Sequence, residues 1–221
     1  MPEPGAAVTY ISFYNILKDQ YGINYGALGI ANDGKVTDKD TDWGAGPLNA
    51  QKTADGWNQS ALILALSITE HWDNNGLAGI ANGTYDANIQ KLAEFCKGYP
   101  NKKIFLRIGY EFDGRWNGQD ISGYGTTNPS PYSGGYNKTE DYKAAWKHIV
   151  DKMREYGVTN VAYVWQGCSS PADEVADAWW GNNGNINTQK EDIADWYPGD
   201  DYVDWVGLFM VYITNRSYSI I

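Results

Sequence analysis

Histidine and cysteine are scarce: the 221 residues hold two of each, His71 and His148, Cys96 and Cys168. Two thiols cannot staple a small disulfide scaffold, and no zinc-type or iron-type ligand spacing connects these four side chains, so neither a metal nor another cofactor is expected. Cys96 falls in a predicted helix and Cys168 after a predicted strand, where buried free thiols are the expected state rather than a disulfide or a reactive pair. Asp38, Asp40 and Asp42 alternate like the first ligands of a calcium loop, but Trp43 stands where the sharp turn requires glycine, and a solvated acidic loop is expected. Positive charge is also in deficit. Against 27 Asp and Glu there are 17 Lys and Arg, a net charge of -10. Such a field repels phosphate backbones and anionic headgroups, so neither nucleic acid nor a membrane surface is an expected partner. No apolar run nears the roughly 18 residues of a membrane-spanning helix, and the opening Met1-Pro2-Glu3-Pro4-Gly5 lacks the charged leader and apolar core of an export signal. There is no internal repeat and no low-complexity tract.

Phenylalanine is scarce too, with a counterpart: 5 Phe stand against 10 Trp and 17 Tyr. A core can be filled with Leu and Phe, so a bias toward rings with a polar edge suits surfaces that are half apolar and half wet, as a sugar surface is. For any single Trp, packing in the core and at its rim is the expected reading. Hydrophobic residues at 43% and charged ones at 20% are ordinary globular composition. The length suits one domain over residues 1–221, somewhat short of the roughly 250 residues of a closed α/β barrel.

Two stretches carry helical periodicity. Over residues 141–156 the apolar positions are Tyr142, Ala145, Trp146, Ile149, Val150, Met153 and Tyr156, one face of a helix that Gly157 ends. Over 86–97 they are Ile89, Leu92, Ala93 and Cys96, with Asp86 as the expected N-cap and Gly98 and Pro100 closing the segment. His148 falls within the first of these helices, where a surface position is expected. Between the helices lie apolar runs of strand length at residues 8–14, 61–67, 103–109, 160–165 and 202–211, with a weaker one at 25–30. Runs apolar on both faces, alternating with amphipathic helices, predict a parallel sheet with helices packed outside it. The fold class expected is α/β, a (β/α)8 TIM barrel incomplete at its carboxyl terminus. Long polar stretches at 69–84, 112–137 and 166–196 read as the loops that gather at the strand carboxyl ends, where barrel active sites form.

The most informative stretch runs Lys103-Ile104-Phe105-Leu106-Arg107-Ile108-Gly109-Tyr110-Glu111-Phe112-Asp113-Gly114-Arg115-Trp116-Asn117. An apolar strand ends in Arg, Tyr and a carboxylate as the chain leaves the sheet. Mounted on a rigid element beside a Tyr and near a Trp, Glu111 is placed where partial desolvation raises a carboxyl toward a working general acid. Spacing alone equally fits a strand-end Glu that simply pairs with Arg107. The segment resembles the acid/base motif of the clan-A glycoside hydrolases, and most of all family 26, best known for endo-β-mannanases. That family has Arg near the end of barrel strand four, then His-Glu, a short turn and Trp, matched here by Arg107, Tyr110-Glu111, Phe112-Asp113-Gly114 and Trp116. The similarity continues through Tyr142-Lys143-Ala144-Ala145-Trp146, Asn160-Val161-Ala162-Tyr163-Val164-Trp165, and the run from Trp196 to Gly207. It spans residues 103–207 in order.

The resemblance implies a secreted retaining endo-glycosidase, with Glu111 the catalytic acid/base. Arg107, Tyr110, Trp116, Trp165, Glu70, His71, Trp72 and, just past the sixth strand, Tyr212 are implied to bind a polysaccharide or oligosaccharide substrate. The substrate class is a β-glycan: β-mannan, β-glucan including cellulose, or β-1,3-xylan. Tyr110 replaces the family's His, which weighs against mannan. The family's nucleophilic Glu sits at the end of strand seven and is therefore expected beyond residue 221, with Glu70 the internal alternative. Asp200, Asp201 and Asp204 fall in a structural lead-in and are assigned no chemistry. An open barrel exposes strand edges, and either a homodimer through them or marginal stability is expected. The competing reading is a carbohydrate-binding barrel remnant that holds polysaccharide without cutting it.

Overall fold

The computed structural model describes residues 4–17, 28, 50–68, 76–110, 112, 139–167, 194, 196–208, 213–214 and 217–218. Five strands form one parallel sheet in chain order: β1 (Ala6–Ser12), β2 (Ala61–Ser67), β3 (Ile104–Ile108), β4 (Val161–Gly167) and β5 (Trp205–Leu208). The helices between them are α1 (Ala50–Gly56) and α2 (Gly76–Ala81), both short, and the longer α3 (Asp86–Gly98) and α4 (Thr139–Glu155). A two-stranded antiparallel pair, β6 (Ile213–Thr214) and β7 (Ser217–Tyr218), follows.

The sheet has two unlike faces because side chains alternate along each strand. One face carries Leu62, Leu64 and Leu66 of β2, Ile104, Leu106 and Ile108 of β3, and Tyr163 and Trp165 of β4. These join Ile89, Leu92 and Cys96 of α3 and Tyr142, Trp146, Ile149, Val150 and Met153 of α4 in a single core. Full burial of each such side chain contributes on the order of 1.5–3 kcal/mol. Ala54 of α1 and Leu77 and Ile80 of α2 belong to the same core. The other face, here called the inner face, is set by continuous register: Tyr10, Ala65, Arg107, Val164 and Trp205 lie in one row across the five strands.

Polar side chains fasten the ends of these elements. Asn160, at the entry to β4, donates its amide to the carbonyls of Cys96, Tyr99 and Lys102, satisfying the chain where α3 ends. Lys102 donates to the carbonyls of Trp57, Asn58 and Ser60 beyond α1. Asp204 grips β4 by accepting the Tyr163 N–H at 2.7 Å while its own N–H donates to the Tyr163 carbonyl at 2.9 Å.

Several expectations are met and others are corrected. Helices α3 and α4 match the two predicted ones, α4 starting two residues earlier and ending one residue earlier than expected. Asp86 is the first helical residue of α3 rather than its cap, a position Tyr85 takes. His148 is half-buried between α3 and α4 rather than on the surface, its Nε2 2.6 Å from the Asp86 carboxylate. The segment 69–84 contains α2, a helix of 6 residues, too short for its period to show in sequence. The run 202–211 starts later than predicted, because Asp200–Tyr202 forms a 3-10 turn and β5 begins at Trp205. Of the predicted strand at 25–30 only Leu28 is described, and it is buried outside any strand. Cys96 is a buried free thiol; Cys168 and the Asp38 to Asp42 run lie outside the described residues.

Candidate active site

β3 delivers the chain to the site, and Gly109 turns it there. The Gly109 N–H continues the ladder by donating to the Leu66 carbonyl at 2.8 Å, but its φ of +51° is left-handed. A Cβ at this position would stand 2.7 Å from the Tyr142 ring and 3.0 Å from Ile68, so glycine alone is accommodated. The Tyr142 hydroxyl faces the carbonyls of Ile108 and Gly109 at 3.5 and 3.4 Å. In a regular strand the two residues flanking a position share one face. Here they part: Tyr110 goes to the inner face and Phe112 to the helix face.

On the inner face the Tyr110 ring meets Tyr10 of β1 edge-on, with centroids 5.5 Å apart, and the Arg107 guanidinium lies 5.2 Å from its centroid. A cation over a tyrosine face contributes about 0.5–2 kcal/mol, the larger figure where water is excluded. The Arg107 Nε is buried with no hydrogen-bond partner. Ser12, Ser67 and Gln166, two residues beyond this row on their strands, are buried polar groups at the same carboxyl end. The Gln166 Oε1 is likewise without a hydrogen-bond partner.

On the helix face Phe112 is 1% exposed. It stacks on Trp165 at 4.9 Å and 21° and on Trp196 at 5.7 Å and 28°, and it packs against Tyr142 at 5.4 Å. Trp165, expected to line the groove, lies on this helix face at 8% exposure, with Tyr197 edge-on to it at 5.1 Å. Little of its ring is left for a sugar. The structure thus brings Arg107 and Tyr110 together, while Trp165 stands behind them in the core. Glu111, Trp116, Glu70, His71, Trp72 and Tyr212 lie outside the described residues. Among the described residues no group of three His, Cys, Asp or Glu side chains could hold a metal ion.

Tyr10 and Gln166 were missed from sequence. Gln166 carried a signal, since it is the polar residue closing an otherwise apolar strand. Tyr10 carried none: its place beside Tyr110 depends on a register that puts β1 two strands away from β3.

A parallel sheet with its helices on one face and arginine and tyrosines gathered at the strand carboxyl ends is the arrangement of an α/β-barrel enzyme. Residues 71–220 match the family described as Glycosyl hydrolase family 26. The chain belongs to that family. It is 34% identical over 183 residues to a β-1,3-xylanase of Vibrio sp., an alignment covering 82% of this chain and 31% of that protein. It is 33% identical over 155 residues to endoglucanase H of Acetivibrio thermocellus, covering 70% of this chain and 14% of the other. The solved family 26 domain of an endo-β-mannanase/endo-β-glucanase from Prevotella bryantii superposes with a TM-score of 0.53 at 15% identity, over 93% of this chain and 59% of that one. The fold class is therefore the (β/α)8 barrel, of which five parallel strands are described. The chain spans about a third of the length of the curated xylanase it matches.

Proposed function

We propose that the chain supplies the acid/base half of a retaining endo-glycoside hydrolase acting on a β-linked polysaccharide, with Glu111 as the catalytic residue. The observation that supports this most directly is the divergence of Tyr110 and Phe112 on either side of position 111, at the carboxyl end of the strand that carries Arg107. In the first step the Glu111 carboxyl protonates the glycosidic oxygen as the bond to the sugar breaks and a second carboxylate, the other half of the retaining pair, bonds to the anomeric carbon. In the second, the carboxylate so formed takes a proton from the water that releases the sugar. Arg107 sets a positive potential beside the carboxylate left by the first step. Tyr110 and Tyr10 offer ring surface, and Trp116, Glu70, His71, Trp72 and Tyr212 complete the proposed sugar contacts, with Trp165 acting from behind.

Among the candidate polymers β-1,3-xylan is placed first, ahead of β-glucan and β-mannan. The relative aligned over 82% of the chain is named for that activity, and Tyr110 replaces the histidine of the mannanase pattern. A polysaccharide cannot cross a membrane, so an enzyme that cuts it is proposed to work outside the cell. Self-association through the exposed face of β5 is proposed for residues 1–221.

The test is reducing-sugar release from the three polymers by the full-length gene product and its Glu111→Gln variant. A loss of roughly 100- to 10,000-fold in the variant is expected, the usual share of general acid/base catalysis. Release that survives the substitution removes Glu111 from the role. Binding without release by the unmodified protein would favour a carbohydrate-binding module instead.

A further inference from the structure

We infer that Phe112 is a positioning residue for the acid/base, held by a box of rings that has no contact with substrate; this rests on the assignment of Glu111 above. The chain around position 111 is pinned on both sides, and the two pins differ in kind. Tyr110 is half-buried on the inner face, against Tyr10 and Arg107. Phe112 is fully enclosed by Trp165, Trp196 and Tyr142, rings contributed by β4, by the segment before β5 and by α4. Aromatic pairs at these separations attract one another beyond area burial and favour particular ring orientations. Three of them on one side chain leave Phe112 a single seat.

The turn that leads to that seat is equally constrained. Gly109 presses on the Tyr142 ring, and the same ring packs on Phe112 and Trp196. Tyr142 therefore fixes the start of the four-residue segment 109–112 through Gly109 and its end through Phe112. A carboxyl that must reach one glycosidic oxygen is sensitive to displacement of its backbone, and about 1 Å of misplacement can cost on the order of 100-fold in rate. Buried rings behind the site hold the Phe112 side of position 111, while the Tyr110 side rests on residues proposed to meet the sugar.

The substitution Phe112→Ala in the full-length gene product tests this with two substrates. One is β-1,3-xylan, or whichever polymer the unmodified protein cuts, whose leaving sugar needs a proton. The other is the corresponding 2,4-dinitrophenyl glycoside, whose leaving group departs without one. We read kcat/KM, which reports the steps through first bond cleavage. Phe112→Ala is expected to lose about 10- to 100-fold on the polymer and less than about threefold on the dinitrophenyl glycoside, while Phe112→Met, which keeps volume and ring contact, restores most of the polymer activity. Equal losses on both substrates, or full polymer activity in a folded Phe112→Ala protein, would overturn the inference. If Phe112→Ala does not fold, Trp165→Phe loosens the same stack from beneath and must show the same split. Polymer cleavage that persists in Glu111→Gln removes the underlying assignment and this inference with it. An inactive Glu111→Gln beside an unaffected Phe112→Ala removes this inference alone.

Discussion

Gly109 and Cys96 illustrate what single residues carry. At Gly109 a left-handed φ and a ring 2.7 Å from where a Cβ would stand act together, so Gly109→Ala is expected to destabilise the fold by about 1–3 kcal/mol or more. Chemical denaturation checks this, and an unchanged midpoint would remove the clamp. The sequence shows only an Ile-Gly-Tyr step here. The reason glycine is required lies 33 residues away, at Tyr142, and no local pattern reveals it. Cys96 was the opposite case: four apolar positions at helical spacing placed it on a buried face. Burial pushes its thiol up to about 12, so alkylation of Cys96 at pH 8, followed by peptide mapping, should be negligible until denaturant is added. Rapid labelling of the folded protein would contradict that burial.

Between elements, the polar ties were less visible than the apolar ones. The faces of α3 and α4 followed from periodicity, but the contact of Asp86 with His148 and Lys152 joins residues 62 and more apart. Burial by itself would raise the Asp86 carboxyl. The hydrogen bonds from His148 and Lys152 outweigh it and hold the group below its ordinary 3.8. A folded value below the unfolded one stabilises the fold fully above about pH 3.8, and this contribution is lost as pH falls through the folded value. Asp86→Asn should therefore flatten the dependence of stability on pH below about 4, read by thermal melts across that range; a variant as acid-sensitive as the parent would contradict the pairing. Asn160→Ala removes a side-chain donor from the carbonyls of Cys96, Tyr99 and Lys102, of which the first two keep a backbone N–H, and a loss of about 1 kcal/mol is expected in urea. Both ties were unreadable in sequence because Asn and Asp suit turns and caps anywhere, and only the packed helices select their partners.

At the scale of the whole molecule, β5 is the exposed strand of the sheet: Val206 on the helix side is 61% exposed and Leu208 is 70% exposed. Trp205 and Tyr10 add exposed rings to the inner face. Among the described residues β5 is the last strand of the sheet, and apolar surface at a strand edge favours association. A polypeptide of residues 1–221 is expected to self-associate in sedimentation, and a monomer at all concentrations would remove that proposal. Strand–helix alternation, the two long helices, the strand that leads to Glu111 and the family were all legible in the amino-acid order, because apolar periodicity and short motifs are local properties of a chain. Which rings meet was decided only by the tertiary structure. Parallel register sets Tyr10 against Tyr110, and the turn at Gly109 sends Phe112 into the core beside Trp165. Both depend on contacts between residues distant in sequence, and a linear pattern does not contain them.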